Sequence, residues 1–348
     1  MRKRIFMSAL VFLVFLAASL LVAQAKPARL NLNIYFIDVE GGAATLIVTP
    51  AGESVLLDAG WDGADGRDAK RIQQAMQQAG ITTIDHFVVS HYHRDHYGGV
   101  AELSRLVPIQ RFYDHGKMTA LSEDAQFVER YGAYQAATKG QSTTLRPGDT
   151  IPLKTVAGAS PITLLCVAAN AALIEGKTKP NPKCESAIEK TTDTSENGRS
   201  VGLWLSWGKF DFLNLADLTP SLSSQLVCPA NQVGEMDLYQ ATHHGSLSNT
   251  PVLLRSLSPK VTVMINGPRK GGQVDTIKLL QGLPSFKALY QLHCNVDATA
   301  EQNAPAQFIA NLEEQPDEGN LIAVVVDAKG TFKVSNTRTK ESQTYRFK

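Results

Sequence analysis

An α/β fold with helices laid over sheet is what this 348-residue sequence predicts, and three observations predict it. A β-meander pattern occupies 32–57, helix and strand patterns alternate through 67–113, and a second set of strand patterns runs from 151 to 265. Alternation of this kind lays helices against a sheet. In the meander, 32–38 alternates loosely and is rich in β-branched and aromatic residues. Gly41 and Gly42 mark a turn, 43–49 a second strand, 50–53 a turn and 54–57 a third strand, which ends at Asp58. Ala69, Ile72, Ala75, Met76 and Ala79 recur at helical spacing over 67–79, and Gly80 supplies a stop. The apolar run 84–89 reads as a buried strand, 99–106 as a short helix and 109–113 as another strand. A helix is expected over 122–139 with Ser122 as its cap. Strands are then expected at 151–153, 162–167, 201–207, 210–215, 237–242 and 261–265. A hairpin at 321–327 and 331–334 follows, with a last strand near 343–347.

The beginning of the chain reads as a leader. Arg2, Lys3 and Arg4 precede an apolar run from Ile5 to about Val22, and Ala23-Gln24-Ala25 is a small-x-small site. This is the pattern of a secretory signal peptide cleaved after Ala25, so the protein is expected in the periplasm or the medium. Residues 26–348 are read as a single domain with a polar insertion at about 170–198. Without the leader the chain has 31 basic and 33 acidic residues, a net charge of −2. Near-neutrality gives no global pull toward nucleic acid or anionic lipid. A small-molecule or phosphoester substrate is the expected partner; nucleic acid is an open alternative that net charge does not indicate. No further stretch is apolar enough to span a bilayer. Cys166, Cys184, Cys228 and Cys294 form no C-x-x-C pair, which argues against a cysteine zinc site. In an exported protein they allow one or two disulfides, and the sequence does not choose the pairing.

The chemistry concentrates in Ser90 to Gly99, which reads SHYHRDHYGG. His91, His93, Asp95 and His96 fall within six residues, directly after the apolar strand. Imidazole nitrogen and carboxylate oxygen suit zinc and similar divalent ions. Extended backbone sends His91 and His93 to one side, and the turn after them brings Asp95 and His96 to a neighbouring position. One segment can therefore serve two adjacent ions. Further along, His115 ends the 109–113 strand, Asp217 follows 210–215, and His243-His244-Gly245-Ser246 follows 237–242. A carboxylate such as Asp217 can bridge two cations, one oxygen to each. One of His243 and His244 would close the second position and the other would serve the reacting group or support the ligands from behind; the motif does not separate them. Asn266 to Gly272 is a glycine-rich loop whose Arg269 and Lys270 are candidates to hold an anion near the metals. His293 lies outside every motif and reads as structural.

H-x-H-x-D-H after a buried strand, with Asp217 and the HHGS run, resembles the metallo-β-lactamase superfamily of metal-dependent hydrolases. Asn197, the ADLT run at Asp217 and HHGS resemble in particular the branch holding the nuclease domain of competence proteins and the secreted phosphorylcholine esterases. The resemblance implies a four-layer αββα sandwich, two mixed sheets face to face with helices outside. It implies two divalent ions, zinc first, with manganese or iron as alternatives. The metal ligands would come from His91, His93, Asp95, His96, His115, Asp217, His243 and His244, with Asp95, Asp217 and His244 also catalytic. It implies that Asp58 braces the metal loop. The family places a further histidine after the 162–167 strand, where this chain reads CVAANAAL, so His115 or water is expected to substitute. Water held by such an ion pair falls from a pKa of about 16 toward about 7, and the resulting metal-bound hydroxide would attack a phosphoester or phosphodiester. The alternatives are an amide or lactone-ring hydrolase and a non-catalytic binding protein that retains the fold.

Overall fold

The computed structural model describes residues 31–184, 192–314 and 318–347. The expected leader at 1–25 lies outside these residues, as does part of the polar insertion.

The described residues form two mixed sheets. The first runs in the order β17 (Ser342–Arg346), β16 (Thr331–Asn336), β15 (Ile322–Asp327), β1 (Asn31–Phe36), β2 (Thr45–Val48), β3 (Ser54–Leu57), β4 (His86–Val88), β5 (Phe112–Asp114) and β6 (Ser142–Thr144). The strands from β17 to β3 pair antiparallel, and those from β3 to β6 parallel. The second sheet runs β14 (Ile309–Asn311), β13 (Ala288–His293), β12 (Val261–Met264), β11 (Leu238–Gln240), β10 (Phe210–Asn214), β9 (Gly202–Trp207), β7 (Ile162–Ala169) and β8 (Ala172–Leu173). Here β10 to β14 are parallel and the rest antiparallel.

Period-two alternation builds the layers. Leu32, Ile34 and Phe36 of β1 point into a core shared with Phe210, Phe212, Val261 and Val263 of the other sheet. Phe36 meets Phe212 edge-on with ring centroids 5.9 Å apart. The outer face of the first sheet packs on α1 (Arg67–Gln78), α3 (Val100–Leu106) and α4 (Phe127–Thr138) through Ile72, Met76, Val100, Leu103 and Phe127. The outer face of the second packs on α5 (Pro220–Val227), α6 (Pro251–Leu257) and α7 (Val274–Gln281) through Leu222, Leu226, Leu253, Leu254 and Ile277. This is the expected αββα sandwich.

Local expectations differ at four places. The helix expected from Ser122 begins at Phe127, because the Asp124 carboxylate accepts from the Gln126 amide and turns the chain first. The strand expected at 151–153 is reduced to an isolated bridge between Thr150 and Leu165. The metal loop contains a one-turn helix, α2 (Arg94–Tyr97), where a turn was expected. The strands β6, β8, β13 and β14 and the helices α5, α6 and α7 were not anticipated. Of the cysteines, Cys184 in the insertion is bonded to Cys228 after α5, while Cys166 and Cys294 are free thiols.

Candidate metal centre

Three strands, one from the first sheet and two from the second, bring the site together. The strand β4 ends at Val88, and its continuation carries Ser90 and His91 before α2 presents Asp95 and His96. Gly99 lets the exit from α2 pass against the neighbouring strand end. A β-carbon there would lie 2.2 Å from the Ala59 carbonyl oxygen. Asp58 fixes the loop from behind. Its Oδ1 accepts from the Ser90 amide at 2.7 Å, and its Oδ2 accepts from the Ser90 hydroxyl at 2.7 Å and lies 2.8 Å from His96 Nδ1. That contact leaves His96 Nε2 to face the site.

From the second sheet, β10 delivers Asp217 and β11 delivers His244. The backbone at His243 and His244 is left-handed, with φ of 53° and 54°. The loop Gly271-Gly272 clasps this strained turn, the Gly272 amide donating to the His244 carbonyl at 2.8 Å. A β-carbon on Gly271 would fall 2.1 Å from that carbonyl oxygen. The glycines of the loop thus support His244.

Asp95, His96, Asp217 and His244 converge, their donor atoms all within 4.8 Å of one another and every residue buried. His244 Nε2 is 3.1 Å from Asp95 Oδ2 and 3.3 Å from Asp217 Oδ2. His96 Nε2 is 3.2 Å from Asp95 Oδ2 and 3.4 Å from Asp217 Oδ1. Burial opposes charge on both carboxyls. The His96 imidazole nevertheless holds Asp95 well below the usual carboxylate range, and the His244 and His96 imidazoles do the same for Asp217. Burial opposes a proton on His96, but Asp217, Asp95 and Asp58 together raise its proton affinity well above normal. His244 is raised in the same way, burial opposing and Asp217 prevailing. The Lys270 amine bonds Asp95 Oδ2, reaches His244 Nε2 at 3.3 Å, and lies 4.9 Å from the Trp61 ring centroid. The group is therefore a built site for positive charge, and its carboxylate and imidazole donors fit a divalent metal.

His91 and His93 form a second pair beside it, His91 Nε2 lying 3.0 Å from His93 Nδ1. The His91 ring is 4.0 Å from the His96 ring, centre to centre. Burial, with His96 beside it, pushes the His91 proton affinity well below normal, which leaves a neutral imidazole able to ligate. His93 is half-buried and sits 3.4 Å from Glu123 Oε1.

Two expected site residues, His115 and Arg269, fall elsewhere, and His243 stands beside the cluster. His115 is outside the cluster: its Nε2 meets Glu196 Oε1 at 2.8 Å and its ring packs on Tyr92, because β5 turns the side chain behind the metal loop. His243 stands at the rim, its side chain 34% exposed against 1% for His244, with Nε2 3.5 Å from Asp217 Oδ2. Arg269 points away, to Asp297 at 2.7 Å and Glu314 at 3.2 Å, and leaves Lys270 as the loop's cation at the site. Glu196 and Trp61 were not anticipated. Glu196 adjoins Asn197 but was not itself singled out, and it meets His115 across 81 residues.

Residues 37–163 match the family model described as the metallo-beta-lactamase superfamily. The matched segment includes His91, His93, Asp95 and His96. Among curated proteins no relative matches the chain. Similar solved structures include a metallo hydrolase from the hyperthermophilic archaeon Ignicoccus hospitalis. It is 12% identical with TM-score 0.43, over 91% of this chain and all of that one. A diphosphatase of the PhnP family is 12% identical with TM-score 0.41, over 85% of this chain and 98% of that one. The diiron β-hydroxylase CmlA from Streptomyces venezuelae is 13% identical with TM-score 0.38, over 69% of this chain. This chain spans 45% of the length of that β-hydroxylase. The fold, two mixed sheets with helices outside, is consistent with the metallo-β-lactamase fold, and the donor set fits a divalent metal.

Proposed function

We propose that the protein is an exported binuclear metal hydrolase that cleaves a phosphoester, most simply a phosphodiester. The observation that carries this reading is the convergence of Asp95, His96, Asp217 and His244 from both sheets into one buried cation-seeking group. Asp95, His96, Asp217 and His244 would hold one divalent ion, zinc first. His91 and His93 would hold the other, with Asp217 reaching toward both. The ions would supply Lewis acidity, which activates water and polarises the oxygen of the bond under attack.

The remaining chemistry belongs to the chain. Lys270, with Trp61 beneath it, offers a positive charge at the rim for an anionic substrate oxygen. This favours a phosphoester over an uncharged amide or lactone. Water oxygen bonds to phosphorus, the ester P–O bond breaks, and the proton lost by water reaches the leaving oxygen. His243 is the solvent-facing base beside Asp217 and is placed to carry that proton. The Cys184–Cys228 bond supports an oxidising compartment and hence export. The narrower likeness to the competence-nuclease and phosphorylcholine-esterase branch rests on the sequence around 197, 217 and 243–246.

The test is hydrolysis of bis(4-nitrophenyl) phosphate by metal-loaded wild type and Asp217→Asn, beside a lactam and a lactone. Turnover of the phosphodiester that Asp217→Asn abolishes is expected. Turnover of the lactam or lactone alone would replace this reading, and turnover of none with metal bound would favour a binding protein.

A further inference from the structure

A carboxylate lies behind the His91 and His93 pair. Glu196 precedes β9 and its side chain is fully buried. One oxygen, Oε1, accepts from the Tyr92 amide at 2.6 Å and meets His115 Nε2 at 2.8 Å. The Tyr92 amide belongs to the peptide that follows His91, so Glu196 grips the backbone between the two imidazoles. A second bond secures the same stretch, the Val201 amide donating to the Ser90 carbonyl at 2.9 Å. The Tyr92 ring is anchored on the opposite side. It packs on His115 at 4.5 Å and Tyr131 at 5.0 Å, and its hydroxyl donates to the Gly116 carbonyl at 2.9 Å. Burial works against charge on Glu196, but the His115 contact outweighs it and keeps the carboxyl below its ordinary range.

The geometry points to Glu196, locked by His115, as a positioning residue that sets the His91 and His93 pair for cation binding. His115 then acts through Glu196 and is not a ligand. The inference rests on the proposed binuclear reading. Among the described residues the His91 and His93 pair belongs to no group of three or more acidic, imidazole or thiol side chains whose donor atoms all lie within 4.8 Å of one another. A site with so few protein donors depends on their being held in place beforehand, since outer partners that orient ligands typically govern about 10- to 100-fold in metal affinity. Glu196→Gln keeps an oxygen that can accept from both the Tyr92 amide and His115. Glu196→Ala leaves the buried Tyr92 amide without an acceptor.

The test is stepwise zinc affinity, titrated against a chromogenic chelator, for metal-free wild type, Glu196→Ala, Glu196→Gln and His115→Ala, with far-UV circular dichroism as the check on folding. Wild type is expected to bind in two steps. Glu196→Ala should weaken the weaker step about 10- to 100-fold and leave the tighter step within about threefold. Glu196→Gln should restore the weaker step to within about threefold of wild type, an outcome a merely structural role for the charge would not produce. If Glu196→Ala fails to fold, His115→Ala carries the test, with a smaller loss confined to the same step. Unchanged binding in both alanine variants would overturn the inference and leave the binuclear reading standing. So would equal weakening of both steps, or equal losses in Glu196→Ala and Glu196→Gln. A wild type that binds no zinc at all would overturn both.

Discussion

His243 and His244 are adjacent in sequence and separate in space. His244 is buried among Asp95, His96 and Asp217, whereas His243 faces solvent beside Asp217. Their alanine variants should therefore fail differently. His244→Ala should lose one bound ion by elemental analysis. His243→Ala should keep its metal and lose about 100- to 10,000-fold in kcat, the range of a single proton-transfer group. Lys270 makes a further residue-scale prediction. Its amine competes for the oxygen and nitrogen that a cation would use. Lys270→Met should tighten zinc binding about tenfold, equivalent to ~1.4 kcal/mol, while raising KM for an anionic substrate. Chelator competition and steady-state kinetics read the two effects separately. At this scale the sequence showed which residue types carry the chemistry but not which of two neighbours points inward. That choice is made by the left-handed backbone at His243 and His244, which no spacing rule encodes. Glu196 was illegible for a related reason, since its partners Tyr92 and His115 come from distant strands.

Elements govern whether those side chains stay in place. The clasp of Gly271 on His244 is the sharpest case. A side chain at Gly271 must adopt a φ of 72° and meet the His244 carbonyl oxygen at 2.1 Å. Gly271→Ala should cost at least about 1–3 kcal/mol in denaturant unfolding, the usual cost of a strained backbone position, and should weaken metal binding with it. The strands that deliver the site were legible because β4 lies in the apolar run 84–89 and because β10 pairs with β9 in a segment rich in β-forming residues around a Gly208-Lys209 turn. The strand β13 was not, because it is buried along its whole length and includes Gln291 and His293. Their polarity masks a core strand. His293 earns its burial from the Asp38 carboxylate 2.7 Å away, a partner 255 residues distant. The helix α2 was too short to show any periodicity.

Across the whole molecule, the site exists only while the two sheets are docked. The first sheet supplies His91, His93, Asp95 and His96, and the second supplies Asp217 and His244. Metal should therefore stabilise the fold by linkage, about 4.1 kcal/mol at a thousandfold excess over Kd, and chelation should lower Tm correspondingly. Acid should act on the metal-free protein through the same carboxyls. Burial opposes the Asp217 charge but His244 and His96 hold its pKa well below the unfolded value. Its contribution is then complete above about pH 4 and is lost as pH falls below it. Circular dichroism of Asp217→Asn should show a shallower decline of stability below about pH 4 than wild type. The Cys184–Cys228 bond closes a 44-residue separation, and replacing both cysteines with serine should cost about 2–4 kcal/mol in denaturant unfolding.

The most direct measurement is metal content per chain, by elemental mass spectrometry on protein purified without added metal and again after reconstitution. The account predicts about two divalent ions per chain, zinc first. No stoichiometric metal after reconstitution, in a folded protein, would contradict it.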